Sequence, residues 1–283
     1  MLSSDVENQV KEAIEAAGSV QKPKLLDDML ITYSYDSLPA ARALYISLIS
    51  SGVRVALASH TEASTLIIPY RDVGEVVVMS VSSKDSRAIR VAEEAAMMGT
   101  LTYFVAPPMD ETLEARLSRH DNLERLVVSP RAPLLTMMAA ATLWSSDLKG
   151  PRGTRLRAEV ADINNSITWV LSRYGKEIGE ASRLSNFTAL YGPSLAPGSL
   201  YLCRVCADRC RDTISMDEPD RLSKVGDALV QMISTVEEHD YMDVELEIRL
   251  RRLSRVKLEF NVDPITANLY AAIAASLIGG RTA

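Results

Sequence analysis

The sequence predicts an α/β fold: a five-stranded parallel sheet covered by helices on both faces, three layers in all, followed by a smaller second α/β domain. Five short apolar runs alternate with helical patterns through the first half of the chain. The runs are apolar at nearly every position rather than at every second one, as strands buried on both faces require. The links between them are only a few residues long.

Each element follows from its residues. MLSSDVENQVKEAIEAAG is a charged helical pattern rather than a signal peptide. Met29–Tyr35 reads as a strand, and Leu38–Gly52 as a helix whose closing glycine suits a C-cap. Val53–Ser59 is a strand, Glu62–Ile68 a short helix and Glu75–Val81 a strand. Ser86–Gly99 is a helix, Thr100–Ala106 a strand, Asp110–His120 a helix and Glu124–Pro130 the fifth strand, before a helix over Pro133–Asp147. KGPRG, Lys149–Gly153, breaks the pattern, so domains are expected at 1–148 and 149–283. A charged connector helix over Arg157–Gly175 opens the second. There, Asn186–Gly192 reads as a strand and Leu195–Cys210 as a helix. Gly226–Thr235, Asp240–Ile248 and Leu253–Phe260 look strand-like, and Asp263–Gly280 ends as a helix with Pro264 near its start.

Composition excludes several function classes. With 283 residues and 47% apolar content the chain can build a proper core, and 31 Lys+Arg against 37 Asp+Glu leaves a net charge of -6. No basic block is dense enough to track a phosphate backbone, so no nucleic-acid partner is expected. No apolar run approaches the roughly 18 residues of a membrane span, and the expected location is the cytoplasm. Cys203, Cys206 and Cys210 fall at helical spacing, an odd number on one segment, which argues against a disulfide framework. His60, His120 and His239 are scattered and supply no fourth ligand, so no metal and no cofactor is expected; the cysteines read as one packed helix face.

In a parallel sheet of this kind ligands sit beyond the carboxyl ends of the strands. Small hydroxyl residues collect there: Ser34 and Ser37 after the first strand, Ser80, Ser82, Ser83 and Ser86 after the third, and Ser129 after the fifth. A strand running through a serine cluster into a helix aims backbone N–H groups and hydroxyls at one point, which suits a phosphate. Each serine taken singly also suits an N-cap.

On these segments the chain resembles the sugar isomerase (SIS) domain family, of flavodoxin-like architecture, in its two-domain phosphosugar isomerase form. The family's first loop, a glycine followed by a Ser/Thr pair, falls on Tyr35-Asp36-Ser37, and the spacing to Thr61–Ala63 is kept. Its Ser-x-Ser-Gly-x-Thr phosphate loop falls on Ser80 to Asp85, and its sugar-contacting Val-Ala-Ser-Thr-Lys segment on Val127 to Arg131. The resemblance covers residues 5–147 well and the rest in outline. It implies a sugar-phosphate ligand held by Ser37, Ser80, Ser82, Ser83, Ser86, Ser129 and Arg131, and a homodimer.

The departures bear on chemistry. Ser83 stands for the loop glycine and Asp85 for the threonine. A carboxylate about 4 Å from a phosphate costs roughly 4 kcal/mol per unit charge at an effective dielectric of 20, more than the roughly 1.5–3 kcal/mol of one charge-assisted hydrogen bond. Asp85 must therefore turn outward to cap its helix, with Ser86 taking over, or be offset by Lys84 and Arg87. The family's base is a glutamate whose place falls near Arg209, beside Asp208; its ring-opening histidine stands in a His-Gly pair absent from this sequence, and GGRTA holds no match for its C-terminal lysine. Asp208, Asp217, Glu218 and His239 are the remaining candidates for acid–base work. The expected function is binding of a phosphosugar or related derivative, by a protein derived from an aldose–ketose isomerase or an amino-sugar-phosphate deaminase. The alternatives are an isomerase with relocated groups, and a regulatory or scaffold protein without a pocket.

Overall fold

A computed structural model describes residues 4–24, 28–147, 150–226 and 228–280. Met1–Ser3, Leu25–Asp27, Leu148, Lys149, Asp227 and Arg281–Ala283, which some of the sequence readings include, lie outside the described residues. The chain divides into two compact units, one of residues 12–148 and one of residues 1–11 with 149–283.

The first unit holds five parallel strands, β1 (Met29–Tyr33), β2 (Val55–Ser59), β3 (Glu75–Met79), β4 (Leu101–Ala106) and β5 (Leu123–Val127), in the order β2-β1-β3-β4-β5. Helix α1 (Ser4–Ser19) precedes them; α2 (Leu38–Ser50), α3 (His60–Glu62), α4 (Ser86–Met97), α5 (Glu111–Leu117) and α6 (Pro133–Trp144) follow strands in turn. The α/β class and the five-stranded parallel sheet are as the apolar runs predict. On one face Leu30, Val76, Val78 and Phe104 pack on Ala88, Val91, Ala92 and Ala95 of α4. Gly52 and Gly99 take φ of 80° and 82° just beyond α2 and α4, where only glycine reverses the chain without strain. Register places the site: Tyr33 pairs with Ser59 on one side and Met79 on the other, so three strands end level and Ser34, His60 and Ser80 follow at one crest.

The second unit has four parallel strands, β6 (Phe187–Tyr191), β7 (Cys210–Ser215), β8 (Ala228–Ser234) and β9 (Arg255–Phe260), ordered β7-β6-β8-β9. Its helices are α7 (Gly150–Ala161), α8 (Ser166–Ala181), α9 (Ala196–Val205), α10 (Met242–Leu250) and α11 (Pro264–Gly279). Helix α11 is buried almost from end to end, which its apolar circumference requires. Buried Gln231 of β8 receives a hydrogen bond from Arg255 of β9 at 3.0 Å and donates one to Glu245 of α10 at 2.8 Å, and Arg255 also pairs with Glu245.

Five expectations are corrected here. Asp240–Ile248 is helical, not a strand: its alternation is apparent only, because Val244 and Ile248, one helical turn apart, are the residues that enter the core. The helix from Ala196 stops at Val205, and Cys210 opens β7, a strand with too few apolar residues to be read as one. The turn at 206–209 brings the chain back so that Cys203 and Cys210 are joined as a disulfide with Cα atoms 5.1 Å apart, against the expected set of free thiols; Cys206 alone stays free and is buried. The helix expected from Arg157 begins at Gly150, because Pro151 lies in the first turn of α7, where its missing N–H costs nothing. The connector is two helices, α7 and α8, interrupted at Asp162–Asn165, where Asn165 Nδ2 donates to Asp162 Oδ1 at 2.6 Å.

Candidate functional site

The loops after β1, β2 and β3 form the candidate site, all within the first unit. Ser37 is fully buried; its hydroxyl donates to the Met79 carbonyl at 2.7 Å and accepts from the Ser34 N–H at 3.0 Å. It stitches the β1 loop to the last residue of β3. Ser80 is also buried and donates to the Ser82 carbonyl at 2.9 Å, folding the third loop on itself, while exposed Ser82 accepts from the Lys84 N–H at 3.2 Å. Ser83 is half-buried, and Ser86 is exposed at the first position of α4.

Asp85 is the N-cap of α4. Its Oδ1 accepts from the N–H groups of Arg87 at 3.0 Å and Ala88 at 3.4 Å, so a carboxylate already occupies amides that a phosphoryl oxygen would use. Asp85 caps the helix as one of the two sequence alternatives has it, but it does not turn outward: its side chain is largely buried and its second oxygen faces His60. Arg87 Nε lies 3.8 Å from Oδ1, a compensating charge that is largely solvated.

Sequence reasoning passed over His60. Ser59 and Glu62 form a capping box, Ser59 N–H donating to Glu62 at 2.8 Å and Glu62 N–H to Ser59 at 3.2 Å, and this fixes the start of α3 with His60 turned inward. The imidazole is 2% exposed, neither ring nitrogen makes a well-formed hydrogen bond, and Nδ1 stands 3.8 Å from Asp85 Oδ2. Burial drives its pKa down to about 4, outweighing the attraction of Asp85 and the nearby Met79 and Thr32 carbonyls, with Arg87 adding to the fall. The readable signal was the Ser-x-x-Glu pattern at a strand end; it places a histidine where a ligand edge is expected.

Other sequence candidates lie apart. Ser129 accepts from the Arg131 N–H at 3.4 Å after β5, which β4 separates from β3, and the Arg131 guanidinium pairs with Glu12 at 2.9 Å. In the second unit, Asp208 is exposed in the turn before β7, at the amino edge of the strands, while Asp217, Glu218 and His239 follow β7 and β8 at the carboxyl edge. Asp217 accepts from the Tyr241 hydroxyl at 2.6 Å, and Glu218 pairs with Arg221 at 2.7 Å. His239 is exposed beside an open cleft of about 660 Å³ that Met242, Arg255 and Lys257 also line. Arg209, at the place of the family's glutamate, donates to the Ser182 carbonyl at 2.9 Å and the Ile278 carbonyl at 3.1 Å, gathering two helix ends. Glu237 accepts from the Ser194 N–H at 2.8 Å and fills the space in which Gly192 would carry a side chain. Among the described residues no cluster of His, Cys, Asp and Glu could hold a metal, and no helix is long and apolar enough to cross a membrane.

The whole double-sheet architecture has counterparts among solved structures. It matches the C-terminal domain of glucosamine-fructose-6-phosphate aminotransferase from Francisella tularensis with a TM-score of 0.69 at 10% identity, over 97% of this chain and 93% of that one. It matches tagatose-6-phosphate ketose/aldose isomerase from Escherichia coli with a TM-score of 0.64 at 10% identity, over 97% and 91% of the two chains. The chain has the sugar isomerase (SIS) fold. Glucosamine-6-phosphate deaminase from Thermotoga maritima shares that SIS fold with a TM-score of 0.60 at 14% identity, covering 98% of this chain and 91% of its own. No protein-family model matches the sequence, and no curated protein matches it either. At such identities the likeness is one of fold.

Proposed function

We propose that this SIS-fold chain binds a sugar phosphate or a closely related sugar derivative at the carboxyl edge of its five-stranded sheet. The observation that carries the reading is the level ending of β1, β2 and β3, with Ser37 tied to the Met79 carbonyl, which brings the Ser34–Ser37 and Ser80–Ser86 loops together at the N-terminus of α4. Solved proteins of the same fold are named for glucosamine-6-phosphate and tagatose-6-phosphate chemistry. Ser82, Ser83 and Ser86 would contact the anion, Ser37 and Ser80 would shape the loops, and Ser129 with Arg131 would reach the sugar from the fifth strand. The reading includes domains at 1–148 and 149–283 and a homodimer, for which light scattering should return twice 31.0 kDa.

A ligand of the native state must raise its melting temperature. Millimolar glucosamine-6-phosphate, fructose-6-phosphate or a relative is expected to do so, and Ser82→Ala to remove the shift. A panel of hexose phosphates that leaves the melt unchanged at every pH overturns the reading. One observation favours a second reading, a regulatory or scaffold protein: Asp85 satisfies the helix amides from within. If turnover persists, Asp217, Glu218 and His239 at the carboxyl edge of the second sheet are better placed to move protons than Asp208.

A further inference from the structure

We propose that His60 and Asp85 form a proton-linked latch on the anion site, so that a dianionic group enters the Ser80–Ser86 loop together with one proton. The inference rests on the ligand reading above and explains how a loop bearing an acid could still serve it. Asp85 spends one carboxylate oxygen on the Arg87 and Ala88 amides and points the other at a histidine 3.8 Å away. That gap is too long for a hydrogen bond and short enough for about one ångström of side-chain movement to close it. His60 is 98% buried and neither ring nitrogen has a hydrogen-bond partner, which costs free energy that closing the gap to Asp85 would partly recover.

The charged groups facing the ring are Asp85 and Arg87; Met79 and Thr32 contribute only their carbonyls. With the ring neutral, Asp85 stays on the helix end and blocks it. When Nδ1 takes a proton from solvent, the imidazolium draws the carboxylate across the gap into an ion pair, and the two amides are released to an incoming anion. No other bond is made or broken. Burial keeps the ring neutral in the empty state, whereas a dianion a few ångströms away adds negative potential that favours the imidazolium. Anion and proton therefore bind as a set, and one carboxylate no longer opposes the ligand.

Sulfate is the decisive probe, because it keeps both charges throughout the working range while a phosphate monoester does not. For the full-length chain, sulfate affinity should rise by about tenfold per pH unit as pH falls between roughly 8 and 6, the slope of one linked proton. Calorimetry in buffers of different ionisation enthalpy should count one proton taken up. Asp85→Ser, which keeps a capping hydroxyl, should bind sulfate and glucosamine-6-phosphate with no such slope, and His60→Gln should bind weakly at every pH. If His60→Gln fails to fold, the wild-type His60 ring followed by NMR at neutral pH must shift to its protonated form when sulfate is added. Binding by the wild type without a pH slope or proton uptake overturns the latch and leaves the ligand reading standing. Absence of binding by both the wild type and Asp85→Ser at all pH values overturns both.

Discussion

Ser37 is a structural residue. Its hydroxyl is wholly buried between the Ser34 N–H and the Met79 carbonyl, so Ser37→Ala leaves a buried backbone acceptor and donor each short of a partner. Denaturant unfolding should show a loss of about 1–3 kcal/mol whether or not a ligand is present. His60 sets a second residue-scale expectation. Its folded pKa of about 4 lies below the unfolded 6.5, so in that window the unfolded chain binds more protons and stability falls as the solution is acidified. The full effect is about 3 kcal/mol, complete near the folded value and absent above the unfolded one. His60→Gln should flatten that part of the stability curve relative to wild type; a curve of unchanged slope between the two values would show that the ring titrates normally.

Among the elements, the α9–β7 corner is the most exposed to test. The Cys203–Cys210 disulfide closes a loop of seven residues' separation, which by chain-entropy arguments is worth about 2.5 kcal/mol. Cys203→Ala should lower the melting temperature under oxidising conditions and have little effect under reducing ones. Thiol counting on the denatured, non-reduced chain should find Cys206 alone. At the other end of α9, a Cβ on Gly198 would stand 2.4 Å from the Ala271 Cβ of α11, so Gly198→Ala should destabilise by about 1–3 kcal/mol through overpacking. These elements also show what the sequence could disclose. The strands of the first unit were legible because runs such as EVVVM and LTYFVA are apolar on both faces. The second unit was less so: β7 carries Arg211 and Asp212 exposed, and α10 hides a helical pair, Val244 and Ile248, inside an apparent alternation. The serine loops were visible as residues, but their internal bonding was not, since which amide a hydroxyl or Asp85 satisfies depends on loop closure. A further signal went unread: Tyr33 to Pro39 and Tyr191 to Pro197 share one spacing, and each spans a strand end, a short 3-10 turn and the start of a helix.

For the whole molecule, two units built on parallel sheets repeat one plan with different furnishing. The first ends its strands in serines, a capping aspartate and a buried histidine. The second ends them in Glu237, Asp217 and Tyr241, with Gly192 kept bare by the Glu237 carboxylate. A Gly192→Ala change should thus displace Glu237 from the Ser194 amide and lower the melting temperature by several degrees, as a substitution of about 1–2 kcal/mol does in a protein of this size. The bonded Gln231, Glu245 and Arg255 have one more effect. Along β9 the inward residues Val256, Leu258 and Phe260 recur at every second place, so sliding this edge strand by two positions would keep its oily side inward. The polar triad helps tell the correct alignment from the slipped one, because sliding β9 carries the Arg255 guanidinium away from Gln231 and leaves the buried Glu245 carboxylate without its cation: a combination lock with Arg255 as its moving pin guards the border of the second sheet.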